Sequence, residues 1–264
     1  MTFADLALAR RLEGAEAANG IACARAGSVP GAAVQALAGG WAIFAGVNSM
    51  LTRALALGMH DPVSAAEIDR LEHFFHSRGA AVTVDLCPYA HPTLIEILCA
   101  RRYAVTEFNS VLVRVLGGVQ PYPPDARVHE CGAVDRDLWA RTVAASFFER
   151  AGLSEEETAA GATLFHLPGA RCFLARAASG EPAAGAAMSL HDGLALLMAD
   201  GTLPAFRNAG LHAALIRARL NAAIAAGCDL ATAATLPGSV SQRNYERQGF
   251  QVAYTRVSLT LKAA

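Results

Sequence analysis

Between Leu194 and Phe250 the spacing of apolar positions changes period several times. Leu194 to Leu203 is an apolar run that reads as a buried strand, and Pro204-Ala-Phe-Arg207-Asn-Ala-Gly210 behind it reads as a loop. Leu211 to Ala226 is a long Ala/Leu helix stopped at Gly227, followed by a strand from Leu230 to Thr235. Pro237-Gly238-Ser239 turns the chain into a short helix, Val240 to Gln248, which Gly249 can end in the left-handed conformation. Upstream, Asp135 to Phe148 has helical spacing, with Leu138, Trp139, Thr142, Val143 and Ala145/Ser146 on one face. Ser154-Glu-Glu-Glu157 is a capping box that opens a second helix. Cys172 to Ala177 and Ala183 to Leu190 read as strands, and His191-Asp192-Gly193 is a tight turn into Leu194.

The first half repeats this order. A shift of 147 positions sets Arg102-Tyr103 against Gly249-Phe250, and the strand Ala81 to Leu86 near Leu230 to Thr235. It also sets the helix Thr93 to Ala100 against Val240 to Gln248, and the helix Ser64 to Ser77 against Leu211 to Ala226. Identities are few, so element order and glycine position carry the match. Gly117-Gly118-Val-Gln-Pro121-Tyr-Pro123-Pro124-Asp125 forbids helix and ladder pairing. The expected division is therefore 1–118, a connector at 119–127, and 128–264.

A formal net charge of −1 gives no electrostatic footprint for nucleic acid or an anionic membrane. No apolar run approaches the ~20 residues that span a bilayer, and the first twenty residues lack the apolar core of a signal peptide, so a cytoplasmic protein is expected. Six scattered cysteines without a Cys-x-x-Cys pair read, for the most part, as buried apolar residues of a reducing compartment. His73-x-x-His76 lacks a third ligand, and no metal site is expected.

The loop at 204–212 carries the chemistry. A strand passing through an Arg- and Gly-containing loop into a helix leaves the first amides of that helix unpaired at its positive end, where phosphate binds. Arg207-x-x-Gly210-x-His212 resembles the Gln/Arg-x-x-Gly-x-Gly/Ala signature of the GNAT N-acetyltransferase superfamily. Tyr245-x-x-x-Gly249-Phe250 resembles the block that closes the core of that family. The resemblance covers residues 128–264 well and the rest in outline, and His212 departs from it where Gly or Ala is usual. It implies an α/β protein of two tandem GNAT-like domains, each a twisted, mostly antiparallel sheet with a splayed parallel strand pair and flanking helices.

The resemblance further implies that acetyl-CoA is the co-substrate and an amine the acceptor. Donor contacts would come from Thr202, Leu203, Arg207, Asn208, Ala209, Gly210, Leu211, His212, Thr235, Ser241 and Asn244. Tyr245 would protonate the leaving thiolate, and Asp200 would be the general base. The acceptor would lie against Phe147-Phe148-Glu149-Arg150 through His166, with the two Phe read as core residues. In the first half the matching loop, Leu57 to Pro62, lacks the Arg-x-x-Gly motif, and Asp61, Glu67 and Asp69 repel a diphosphate. The alternative is a non-catalytic acyl-CoA-binding or structural tandem protein; a homodimer is left open.

Overall fold

Two strand–helix–strand crossovers, one in each half of the chain, organise the fold. The computed structural model describes residues 4–27, 29–47, 49–150, 152–167 and 169–261. Residues 1–111, 235–237 and 252–264 form one compact unit, and residues 112–234 and 238–251 form the other. Among the described residues no helix is long and apolar enough to cross a membrane.

The chain begins with α1 (Leu6–Ala26), whose N-cap Asp5 accepts the Leu8 N–H at 2.8 Å. There follow β1 (Ala33–Leu37), β2 (Gly40–Phe44), β3 (Arg53–Leu55), α2 (Ala65–His76), β4 (Val82–Leu86), α3 (Pro92–Ala100) and β5 (Ala104–Val115). β3 and β4 pair in parallel at Ala54↔Val84, with α2 as their crossover. β5 starts in the first unit and ends in the second.

The second unit adds β6 (Val128–Glu130), a 3-10 turn at Ala133–Asp135, α4 (Arg136–Phe148) and α5 (Glu155–Phe165). Next come β7 (Arg171–Arg176), β8 (Pro182–His191) and β9 (Leu194–Thr202), then α6 (Leu211–Ala225), β10 (Leu230–Thr235) and α7 (Val240–Arg247). Its strands run in the order end of β5, β10, β9, β8, β7, β6. Gly185 and Gly201 let α4 lie close on β8 and β9: a Cβ on Gly201 would sit 1.7 Å from Ser146 Oγ, and one on Gly185 2.6 Å from Val143 Cγ2. Of the face expected for α4, Trp139, Thr142, Val143 and Ser146 are buried, but Leu138 is exposed and Ala140 and Ala144 replace it.

The helix ends confirm the internal repeat. After α3, Arg102 has φ 62°, and after α7, Gly249 has φ 81°. The next N–H turns back five residues in both cases, Tyr103 to Leu98 O at 3.0 Å and Phe250 to Tyr245 O at 3.2 Å. These two bonds stand 147 positions apart, the shift read from the sequence.

The final strand, β11 (Gln251–Leu261), departs from the expected division. Its pairing is antiparallel with β4, from Val257↔Leu86 to Leu261↔Val82, and from Val252 onward it belongs to the first unit. That unit's sheet therefore runs β1, β2, β3, β4, β11, first part of β5. Buried polar groups fix this placement: Tyr254 OH donates to Glu13 at 2.7 Å, Arg256 Nε lies 3.2 Å from Glu13, and Ser258 Oγ donates to Asp85 at 2.6 Å. Segment 119–127 is not a free connector either. Asn221 on α6 accepts the Tyr122 N–H at 2.8 Å and donates to the Tyr122 carbonyl at 2.9 Å.

Candidate active site

β9 and β10 begin as parallel neighbours and then part. Their register holds from Leu230↔Leu194 to Thr232↔Leu196, after which β9 continues to Thr202 and β10 to Thr235 without further pairing between them. β9 bends because it carries one extra residue against β8, between Ala187↔Met198 and Gly185↔Gly201. Ala199, at φ 55°, marks the bulge. The Trp139 indole N–H satisfies the carbonyls of Ala186 and Phe173, at 3.2 and 3.1 Å. Beyond the bulge the Leu203 N–H is spent on Ala183 O at 2.9 Å. Strand alternation then turns the Thr202 amide toward the other edge, where pairing with β10 has ended.

The loop between β9 and α6 is a 3-10 turn, Pro204–Phe206, then Arg207, Asn208 at φ 64°, Ala209, and Gly210 at φ 75° as the N-cap of α6. No side chain caps α6. The amides of Leu211, His212 and Ala213 are therefore orphan donors at the positive end of a 15-residue helix. A Cβ on Gly210 would meet nothing within 4 Å, so this face of the turn is open. Arg207 pairs with Glu149 at 2.7 Å, both largely exposed. So exposed a pair contributes at most about 1 kcal/mol, and an anion can displace Glu149. Arg127, held by Asp125 at 2.8 Å, donates to the Ala209 carbonyl at 3.0 Å and props the loop from behind.

Beneath the loop the structure joins Asp200 and Tyr245, the two residues singled out for proton transfer. Tyr245 is 1% exposed, and its OH donates to Asp200 Oδ2 at 2.6 Å. Arg219, 0% exposed, forms an ion pair with Asp200 and donates to the carbonyls of Ala187 and Met198, the strand pair at which the bulge begins, at 3.0 and 3.3 Å. His212 Nε2 faces Asp200 Oδ1 at 3.3 Å, and its Nδ1 lies 3.0 Å from Asn244 Nδ2. An Asn amide nitrogen can only donate, so Nδ1 is the acceptor and the ring proton of neutral His212 sits on Nε2, toward Asp200.

Burial opposes charge on Asp200, but Arg219, His212 and Tyr245 overcome it and hold the carboxyl well below the usual carboxylate range. A carboxylate held so low is a poor proton acceptor. Asp200 thus organises the cluster, and the expectation that it acts as general base meets a physical obstacle. Burial pushes Tyr245 well above the ordinary phenol value, opposed by Arg219 and reinforced by Asp200, so it keeps its proton through neutral pH.

Of the remaining expected donor contacts, Ser241 and Asn244 lie half-buried on α7, and Leu203 is half-buried where β9 ends. Thr235 closes β10 and falls with the first unit, its hydroxyl buried and without a partner among the described residues. Phe147 and Phe148, read as core, are 60% and 49% exposed at the end of α4. Arg219 was missed. Its signal is a charge in the apolar row Leu211, Leu215, Arg219 at four-residue spacing, which only a buried partner tolerates.

No protein-family model matches the sequence, and no curated protein matches it. Solved structures do. A GCN5-related N-acetyltransferase from Kribbella flavida superposes with a TM-score of 0.71 over 97% of this chain and 96% of its own, at 19% identity. A tandem GNAT protein from the clavulanic acid biosynthesis pathway gives 0.63 over 98% and 94%, at 15% identity. An acetyltransferase of the GNAT family from Colwellia psychrerythraea gives 0.55 over 84% and 81%, at 13% identity. The fold is the tandem GNAT fold.

The two GNAT units differ at the helix that follows the crossover strand. In the first, Ser64 caps α2 by accepting the Glu67 N–H at 3.3 Å, and Glu67 accepts the Ser64 N–H at 2.8 Å. That capping box fills the helix end and makes it negative. In the second GNAT unit the corresponding end, on α6, is open.

Proposed function

We propose that the second unit is an acyl-CoA-dependent acetyltransferase that moves an acetyl group from acetyl-CoA to the amine of a small acceptor, in the cytoplasm. The observation that carries this reading is the uncapped α6 N-terminus behind Arg207–Gly210, beside a strand pair that parts, in a chain whose other crossover helix is closed by its own side chains. The α6 amides and Arg207 take the diphosphate, the free edge of β9 at Thr202 pairs with the pantetheine amides, and the exposed Phe147 and Phe148 line the acceptor side. One donor binds per chain.

Tyr245 serves the departing thiolate by turning its O–H from Asp200 to the sulfur. Asp200 keeps Arg219 and His212 as partners when this happens, so the carboxylate is not stranded. Asp200 is held too acidic to take the amine proton, so the acceptor enters as the neutral amine and solvent receives its proton. The low basicity of Asp200 also favours the second reading, a protein that binds acyl-CoA without turnover. Thiol release from acetyl-CoA across a panel of amines separates the two, since a binder releases none above the hydrolysis rate.

Tyr245→Phe keeps the ring and removes the hydroxyl. The expected result is unchanged acetyl-CoA affinity, a modest fall in Tm, and a kcat lower by about 10²-fold or more, the range of general acid assistance. A kcat within about twofold of wild type would reduce Tyr245 to an anchor of Asp200.

A further inference from the structure

Far along the sequence from the donor loop, β6 and the turn after it bring together three side chains that the proposed reaction does not use. His129 and Cys131 stand two apart, and the Cys131 N–H continues the ladder to the Cys172 carbonyl at 2.8 Å, so both point to the same side of the strand. Glu130, between them, points the other way and pairs with Arg171 at 2.7 and 2.5 Å. The chain then turns through Ala133–Asp135, and Asp135 Oδ2 accepts the Gly132 N–H at 2.9 Å. That bond fixes the carboxylate, and its Oδ1 lies 3.8 Å from His129 Nε2. The ligand atoms of His129, Cys131 and Asp135 all lie within 4.8 Å of one another.

We propose that His129, Cys131 and Asp135 form a binding site for one divalent cation of the zinc class. One imidazole nitrogen, one sulfur and one carboxylate oxygen make a borderline-soft donor set that suits zinc, whereas calcium and magnesium call for oxygen alone. Zinc bonds of about 2.0–2.3 Å in a tetrahedron place donors roughly 3.3–3.7 Å apart. The present spacing closes to that by small side-chain rotations, which half-buried groups can make. Charge also balances, since thiolate and carboxylate together cancel the two charges of the cation. The His129 and Asp135 side chains are 40% and 20% exposed, which gives the ion a path in and leaves the fourth position to water or an outside donor. Bound there, the ion ties β6 to the first turn of α4.

The site is independent of the acetyl-transfer reading and is tested without activity. Full-length protein is stripped with a chelator, dialysed and titrated with cobalt(II), then with zinc as competitor. The expected result is one equivalent bound, with the visible bands of tetrahedral cobalt and a thiolate-to-cobalt charge-transfer band, both removed by zinc. Cys131→Ser removes the charge-transfer band, whereas Cys172→Ser, at the neighbouring buried thiol, leaves it. His129→Gln, at a half-buried position whose side chain is 40% exposed, weakens affinity by about a hundredfold or more, beyond the loss from an outer-shell partner. No band at stoichiometric cobalt, a band that survives Cys131→Ser, or an affinity unchanged by His129→Gln would overturn the proposal and leave His129–Asp135 as a surface ion pair.

Discussion

Asp200→Ala should destabilise the second unit by about 3–5 kcal/mol, because it leaves the fully buried Arg219 guanidinium without its counter-charge. Urea denaturation of the full chain measures this. Replacing both partners, Asp200→Ala with Arg219→Met, should recover a large part of the loss, since the stranded charge and not the missing attraction dominates. A single-variant cost below about 1 kcal/mol, the range of surface pairs, would show that the carbonyls of Ala187 and Met198 suffice to hold Arg219. The pH dependence has a definite sign. The Asp200 pKa is depressed in the folded state, so its contribution is complete above the unfolded value near 3.8 and is lost as pH falls below it toward the folded value. Wild type should therefore lose stability in strong acid more steeply than Asp200→Ala.

Gly210→Glu should abolish acetyl-CoA binding in a protein that still folds. The left-handed φ of 75° means that any side chain there carries about 1 kcal/mol of strain, but a Cβ meets no atom within 4 Å, so the chain can accommodate it. Gly210→Ala carries the strain alone and should keep most of the affinity. Glu adds a negative charge beside the diphosphate and closes the approach to the amides. Calorimetry on both variants separates backbone from charge, and equal affinity for Glu and Ala would place the diphosphate elsewhere.

What could be read from the sequence was whatever local chemistry dictates. The loop, crossover helix and second strand between Leu203 and Thr235 were legible because Pro204, Gly210 and Gly227 punctuate them. The repeat was legible because the Gly249 and Arg102 positions follow equivalent helices. The edge that β11 joins was not, because the pattern of Gln251 to Leu261 specifies a strand and not its neighbour. β1 to β3, short and rich in Ala, carried little periodicity. In the candidate site the uncapped start of α6 after Gly210 followed from the motif. The roles of Asp200 and Tyr245 did not, because both depend on Arg219, which sits 19 residues from one and 26 from the other.

The placement of β11 bears on how the protein is made. A ribosome finishes residues 1–111 before the second unit, yet the strand that belongs between β4 and the first part of β5 emerges only after that second unit. At about 5–20 residues per second, the nascent first unit waits roughly 10–30 s with two strand edges open. During that time Glu13 lacks Tyr254 and Arg256, and Asp85 lacks Ser258 but has Arg53 from its own stretch of chain. The half of the chain that is born first is thus the half that is completed last.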